Sequence, residues 1–150
     1  MDIEFKKITD YKVVIVGRLP TKVSKLIKHK ENYIFFDYVQ TSELESLYYN
    51  CDFFIYPSLN EGFGMPPLEA MRYGKTCIVS AVCSLPEVCG DGVIYVNPYD
   101  IKEIENRILK AANEKISVEK VKNAFNRTYE KQKNDLIDIC KFILQDVVNK

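Results

Sequence analysis

Two glutamates stand eight positions apart in the string Tyr56-Pro57-Ser58-Leu59-Asn60-Glu61-Gly62-Phe63-Gly64-Met65-Pro66-Pro67-Leu68-Glu69-Ala70-Met71. Between them, Gly62 and Gly64 let the backbone take unusual dihedrals and approach a ligand without Cβ interference. Pro66 and Pro67 then open a helix, whose first amides lack intrahelical partners and carry the positive end of the dipole. Such a loop-helix junction at the carboxyl end of a strand suits a diphosphate. Carboxylates beside it do not serve the phosphates. They suit neutral hydroxyl groups of a sugar or ribose, or a cationic transition state. Taken singly, Glu61 reads as a solvated loop residue and Glu69 as a charge favoured by the helix dipole.

Other chemistries lack their residues. The dinucleotide fingerprint G-x-G-x-x-G is absent, since Gly17 is followed by Arg18-Leu19 with no nearby glycine. Gly74-Lys75-Thr76 looks like the end of a P-loop, but the glycine required five residues earlier is Glu69, and the tripeptide falls between a helix and a strand. No Asp-x-Asp occurs, so a metal-bridged diphosphate site has no candidate ligands, and neither a metal nor a cofactor is expected. Cys77, Cys83 and Cys89 recur every sixth residue without a C-x-x-C pair, and the single histidine is His29. The five cysteines are therefore expected to be buried or incidental free thiols.

These residues need a scaffold, and the pattern along the chain supplies one. Strands are expected at Lys12–Gly17, Tyr33–Phe36, Phe53–Tyr56, Thr76–Ser80 and Val93–Val96, each a short apolar run. Between them, helices are expected over Thr21–Lys30, from Ser42 (with Glu45 completing a capping box), from Pro66-Pro67 to Gly74, from Asp100 with Glu103, and from Ser117 nearly to the end. Alternating strands and helices indicate an α/β fold, a doubly wound parallel sheet whose ligands bind outside the carboxyl ends of the strands. Residues 1–150 read as a single domain. Apolar residues make up 47% and charged residues 28%, as in a globular protein. Lys+Arg and Asp+Glu are both 21, so no net field draws the chain to nucleic acid or anionic lipid. The first residues lack the build of a secretory signal, and no apolar run approaches a membrane span. The chain reads as cytoplasmic.

The sixteen-residue string closely resembles the signature of family 4 glycosyltransferases. Upstream, Val13–Gly17, Phe36-Asp37-Tyr38-Val39 and Leu44–Asp52 resemble that family's strand, turn and Leu-Tyr-x-x-(Ala/Cys)-Asp run. Downstream, Tyr73–Ser80, Ser84–Val88, Gly90-Asp91 and Asn97–Asp100 match in order and spacing. The resemblance implies the C-terminal, nucleotide-sugar-binding, Rossmann-like half of a GT-B enzyme. Its reaction would be metal-independent hexosyl transfer with retained configuration, from a UDP-, GDP- or ADP-sugar to a saccharide or lipid-linked acceptor. Glu61 would reach the sugar hydroxyls beside the reacting carbon. Phe63, Gly64 and Met65 would offer backbone amides to sugar and diphosphate, Glu69 would accept from the ribose, and Tyr38-Val39 would lie along the base.

Some departures qualify that reading. The family's C-terminal half opens on a strand ending Gly-Arg-x-x-x-x-Lys, whose cations neutralise the diphosphate. Here Gly17-Arg18-Leu19-Pro20-Thr21-Lys22 brings the lysine one residue early, and the run to Tyr38 fits the family's second strand unit better. Arg18 and Lys22 are thus either ordinary surface charges or a partial replacement for that pair. The opening strand and helix, and the acceptor-binding N-terminal domain, are expected to lie outside this sequence, so a partner domain or subunit is implied, and any peripheral contact with the inner face of a membrane would run through it. The alternative class is a non-catalytic module that binds a nucleotide-sugar or a partner protein. The last helix carries Leu136, Ile137, Ile139, Cys140, Phe142, Ile143, Leu144, Val147 and Val148, either packed on its own core or free for a partner or a second copy.

Overall fold

The computed structural model describes residues 11–25, 27 and 30–148. Among these residues, five strands alternate with helices: β1 Val13–Val16, α1 Thr21–Ser24, β2 Tyr33–Phe36, α2 Thr41–Asn50, β3 Phe53–Tyr56, α3 Met65–Arg72, β4 Thr76–Ser80, α4 Leu85–Cys89, β5 Ile94–Val96, α5 Ile101–Asn113 and α6 Val118–Val148, and each pairing between strands is parallel. β1 pairs with β2, Val13 opposite Tyr33. β4 lies between β3 and β5, with Phe53 opposite Thr76 and Ile78 opposite Ile94. The described strands thus form two hydrogen-bonded groups, β1-β2 and β3-β4-β5.

β4 is buried along its whole length and has a core on each face. Cys77 and Val79 point into a cluster with Leu68, Met71, Leu85 and Val121, drawn from α3, α4 and α6. Ile78 points the other way, against Val96 and against Ile108 and Ala111 of α5. That alternation, with helices on both faces, makes the fold a Rossmann-like α/β arrangement, as the strand runs indicate.

Three local expectations are corrected. The helix expected over Thr21–Lys30 is a single turn, α1, and Lys30–Asn32 forms a separate 3-10 turn. Four residues closed by a long Lys25 N–H to Thr21 O bond of 3.3 Å leave the cost of nucleation unrecovered. Leu26, Lys28 and His29 of that segment lie outside the described residues. The capping box of α2 sits two residues earlier than expected: the Gln40 N–H donates to Glu43 Oε2 at 2.7 Å, and Ser42 is already helical. Finally, α4 has no counterpart among the expected helices. The cap of α5 is as read, the Glu103 N–H donating to Asp100 Oδ1 at 3.0 Å.

The first half of α6 is pinned to the fold. Val121 and Ala124 are buried, Thr128 Oγ1 donates to the Val88 carbonyl at 2.7 Å, and Lys131 pairs with Glu87 at 3.0 Å. Arg127 pairs with Asp91. Beyond it, Leu136, Ile137, Ile139, Phe142, Ile143 and Leu144 are exposed, so the distal half is not packed on the described core.

Candidate functional site

Parallel pairing places the loops after β3, β4 and β5 at one edge of their sheet. β3 ends at Tyr56, and the chain then runs as a loop to Gly64. Gly64 caps α3 with φ +95°, a left-handed conformation that L side chains rarely adopt. A Cβ at Gly64 would lie 2.5 Å from Leu85 Cδ2, so α4 presses directly on the turn. Gly62 differs from the sequence reading: it has no positive φ, and a Cβ there would meet nothing within 4 Å. Only one of the two glycines is required by the backbone; the other leaves open space above the loop.

The loop after β4 fastens the loop after β3. Ser84 Oγ donates to the Phe63 carbonyl at 3.0 Å, and the Cys83 thiol donates to Asn60 Oδ1 at 3.4 Å. Cys83 holds a positive φ of 50° to do so. The junction that results brings Glu61, Phe63, Gly64, Met65 and Glu69 together on one loop and the first two turns of α3. Glu61 and Glu69 are half-buried, while Phe63 and Met65 are exposed.

Each glutamate accepts a hydrogen bond from a tyrosine. Tyr56 Oη donates to Glu61 Oε1 at 2.7 Å, and Tyr48 Oη donates to Glu69 Oε2 at 3.0 Å. Burial first, then the Glu61 carboxylate, pushes the Tyr56 hydroxyl up to about 12; the same causes, with Glu69 as the carboxylate, push Tyr48 up as well. Both hydroxyls are therefore protonated donors at neutral pH. The partners of the carboxylates were missed in the sequence, although Tyr56 opens the sixteen-residue string and Tyr48 lies in the Leu-Tyr run.

The remaining expected contacts sit on the other strand pair. Arg18 and Lys22 are exposed, in the loop after β1 and in α1. Tyr38 is 81% exposed and Val39 half-buried in the turn after β2. They occupy the carboxyl edge of β1-β2, and no hydrogen bond among the described residues ties them to the Gly-Phe-Gly loop. A hollow of about 330 Å³ lies at the ends of β4 and β5, lined by Ala81, Tyr95, Asn97 and Glu103 among others, apart from the Gly-Phe-Gly loop. The cysteines are free, with Cys77 and Cys89 buried. Among the described residues, no group of three or more His, Cys, Asp or Glu is placed to hold a metal ion, and no helix is long and apolar enough to cross a membrane.

A parallel α/β half-domain with this junction belongs to a known class, and residues 2–131 match the family model for glycosyl transferases group 1. The chain is a member of that family. It is 37% identical over 109 residues to the serotype-specific mannosyltransferase WbdA of Escherichia coli, covering 67% of this chain and 13% of the relative. It is 45% identical over 74 residues to the O-antigen chain mannosyltransferase B of Escherichia coli, covering 49% and 19%. The chain thus spans less than a fifth of the length of either relative. The C-terminal domain of the Francisella tularensis glycosyl transferase group 1 protein LpcC superposes with a TM-score of 0.70 at 23% identity, over 83% of this chain and 73% of that one. Anabaena Alr3699/HepE, solved in complex with UDP and glucose, gives 0.70 at 18% identity, over 99% and 44%. These likenesses fix the fold as that of a GT-B glycosyltransferase half.

Proposed function

We propose that this chain is the donor-binding half of a retaining, metal-independent hexosyltransferase that acts together with an acceptor-binding domain. The observation that carries the reading is the junction itself: a left-handed Gly64 delivering the chain into the N-terminus of α3, with a carboxylate on each side. The α3 amides and the backbone of Phe63, Gly64 and Met65 face the diphosphate and sugar. Glu61 contacts the sugar hydroxyls and stabilises positive charge at the reacting carbon, and Glu69 accepts from the ribose. Tyr38 and Val39 flank the base, and Arg18 lies toward the diphosphate.

Relatives named mannosyltransferases favour a mannosyl group among the hexoses, whereas a structural neighbour was solved with UDP and glucose. The binding experiment therefore spans bases. Calorimetry with UDP, GDP and ADP, with and without magnesium, is expected to give weak binding to one of them, unchanged by the metal. A signal that requires magnesium would count against the site, because no Asp-x-Asp is present to hold the ion.

A further inference from the structure

The carboxylates of the junction are held from beneath, and the groups that hold them belong to one continuous piece of the core. Phe54 and Tyr56 stack on the same face of β3, ring centroids 5.9 Å apart and 18° from parallel. The edge of the Tyr48 ring meets Phe54 at 5.5 Å, and its face stacks on Tyr73, just past α3, at 6.3 Å. Tyr48 is only 6% exposed. Neither hydroxyl can swing away without breaking this stack.

We infer that Tyr56 and Tyr48 are positioning residues for donor binding, each fixing one oxygen of a carboxylate so that the other faces the ligand. Tyr56 Oη holds Glu61 Oε1, and Tyr48 Oη holds Glu69 Oε2. Glu61 Oε2 and Glu69 Oε1 have no hydrogen-bond partner among the described residues and keep their full acceptor capacity. A free glutamate samples several rotamers, and ordering it in advance removes that cost from binding. Because Phe54 touches both tyrosines, the two carboxylates are also fixed relative to each other. The sugar end and the ribose end of the ligand then meet acceptors at a set separation. This inference rests on the donor-binding reading.

The test compares six ligands by calorimetry on the 150-residue chain: UDP, GDP and ADP, and UDP-glucose, GDP-mannose and ADP-glucose. Phenylalanine keeps each ring and its stacking, so only the hydroxyl is removed, and thermal melts report any loss of fold. Tyr48→Phe is expected to weaken free nucleotide and conjugate alike by about tenfold, as loss of a bond to a charged group does. Tyr56→Phe is expected to lower the preference for the conjugate over the free nucleotide by about tenfold. The Tyr48→Phe/Glu69→Gln double variant should bind no more weakly than Glu69→Gln alone, since both changes break one chain of contacts. If the two glutamine variants give the sugar-against-nucleotide split while both phenylalanine variants bind as the parent does, positioning by tyrosine is overturned and the site stands. Affinity that falls in both phenylalanine variants equally for all six ligands, in step with the melting temperature and with no loss of conjugate preference in Tyr56→Phe, would mark the tyrosines as core residues only and likewise overturn it. If neither glutamine variant alters binding, or none of the six ligands binds, the site reading falls and the inference falls with it.

Discussion

Glu61 and Glu69 occupy different stations of one junction, and their substitution should separate accordingly. Glu69 stands in the second turn of α3, where the ribose is proposed to lie; Glu61 precedes the helix, beside the sugar. Glu69→Gln is expected to weaken binding of the free nucleoside diphosphate by about 1.5–3 kcal/mol, the value of a charged acceptor. Glu61→Gln should leave that ligand almost unaffected and act on the nucleotide-sugar, or on turnover in an assembled enzyme. Calorimetry against both ligands decides, and the opposite pattern would remove the assignment. Gly64 makes a prediction of another kind. Its φ of +95° and the 2.5 Å approach of a Cβ to Leu85 Cδ2 act together, so Gly64→Ala should destabilise the fold by about 1–3 kcal/mol in urea denaturation. Gly62→Ala, with open space around the new methyl and no positive φ, should be neutral or slightly stabilising.

At the scale of elements, β3, β4 and β5 form the buried side of the site and also set its response to base. Burial pushes Tyr95 up to about 12, as burial and Glu61 do for Tyr56, both from an ordinary value of 10.0. A raised folded pKa leaves stability intact below the unfolded value and removes it as pH rises through the folded one. Burial also pushes the Cys89 thiol from 9.0 up to about 11, so unfolding free energy should be flat to about pH 9 and fall between 9 and 12, with a smaller fall above pH 10 in Tyr95→Phe; a chain equally stable at pH 8 and 12 would contradict this. The strands were legible in the sequence because short β-branched and aromatic runs such as Thr76–Ser80 are dictated by burial itself. The α3 junction was legible because Gly64 and the two prolines impose their geometry locally. α1 was over-read: a lysine-rich stretch with helical spacing still needs tertiary packing to extend beyond a turn. α4 was invisible, being five residues held by Leu85, Val88 and Cys89 in a core assembled by distant elements. The tyrosine partners were likewise hidden, since the 21-residue separation of Tyr48 and Glu69 closes only when α2 packs on α3.

At the scale of the whole molecule, the match to the WbdA mannosyltransferase covers 67% of this chain and 13% of that protein. The described strands fall into the groups β1-β2 and β3-β4-β5, each parallel within itself. Val14, Val16, Ile34 and Phe36 remain exposed on β1-β2, as do Leu136, Phe142 and Leu144 on distal α6 at 62–69% each. Apolar surface of that extent marks contact faces, so the chain is expected to self-associate, and Phe142→Glu with Leu144→Lys should shift its sedimentation toward the monomer. Sugar transfer adds a stricter demand. It competes with hydrolysis and depends on orientation, so donor and acceptor must meet in a closed, water-poor cleft. One Rossmann-like half supplies a single wall. The 150 residues taken alone should therefore show no measurable transfer to a saccharide or lipid-linked acceptor, even where they bind donor, and transfer should appear when an acceptor-binding domain is supplied. Robust transfer by the chain alone, proportional to its concentration and abolished by Glu61→Ala, would show that the half-domain already contains a complete active site.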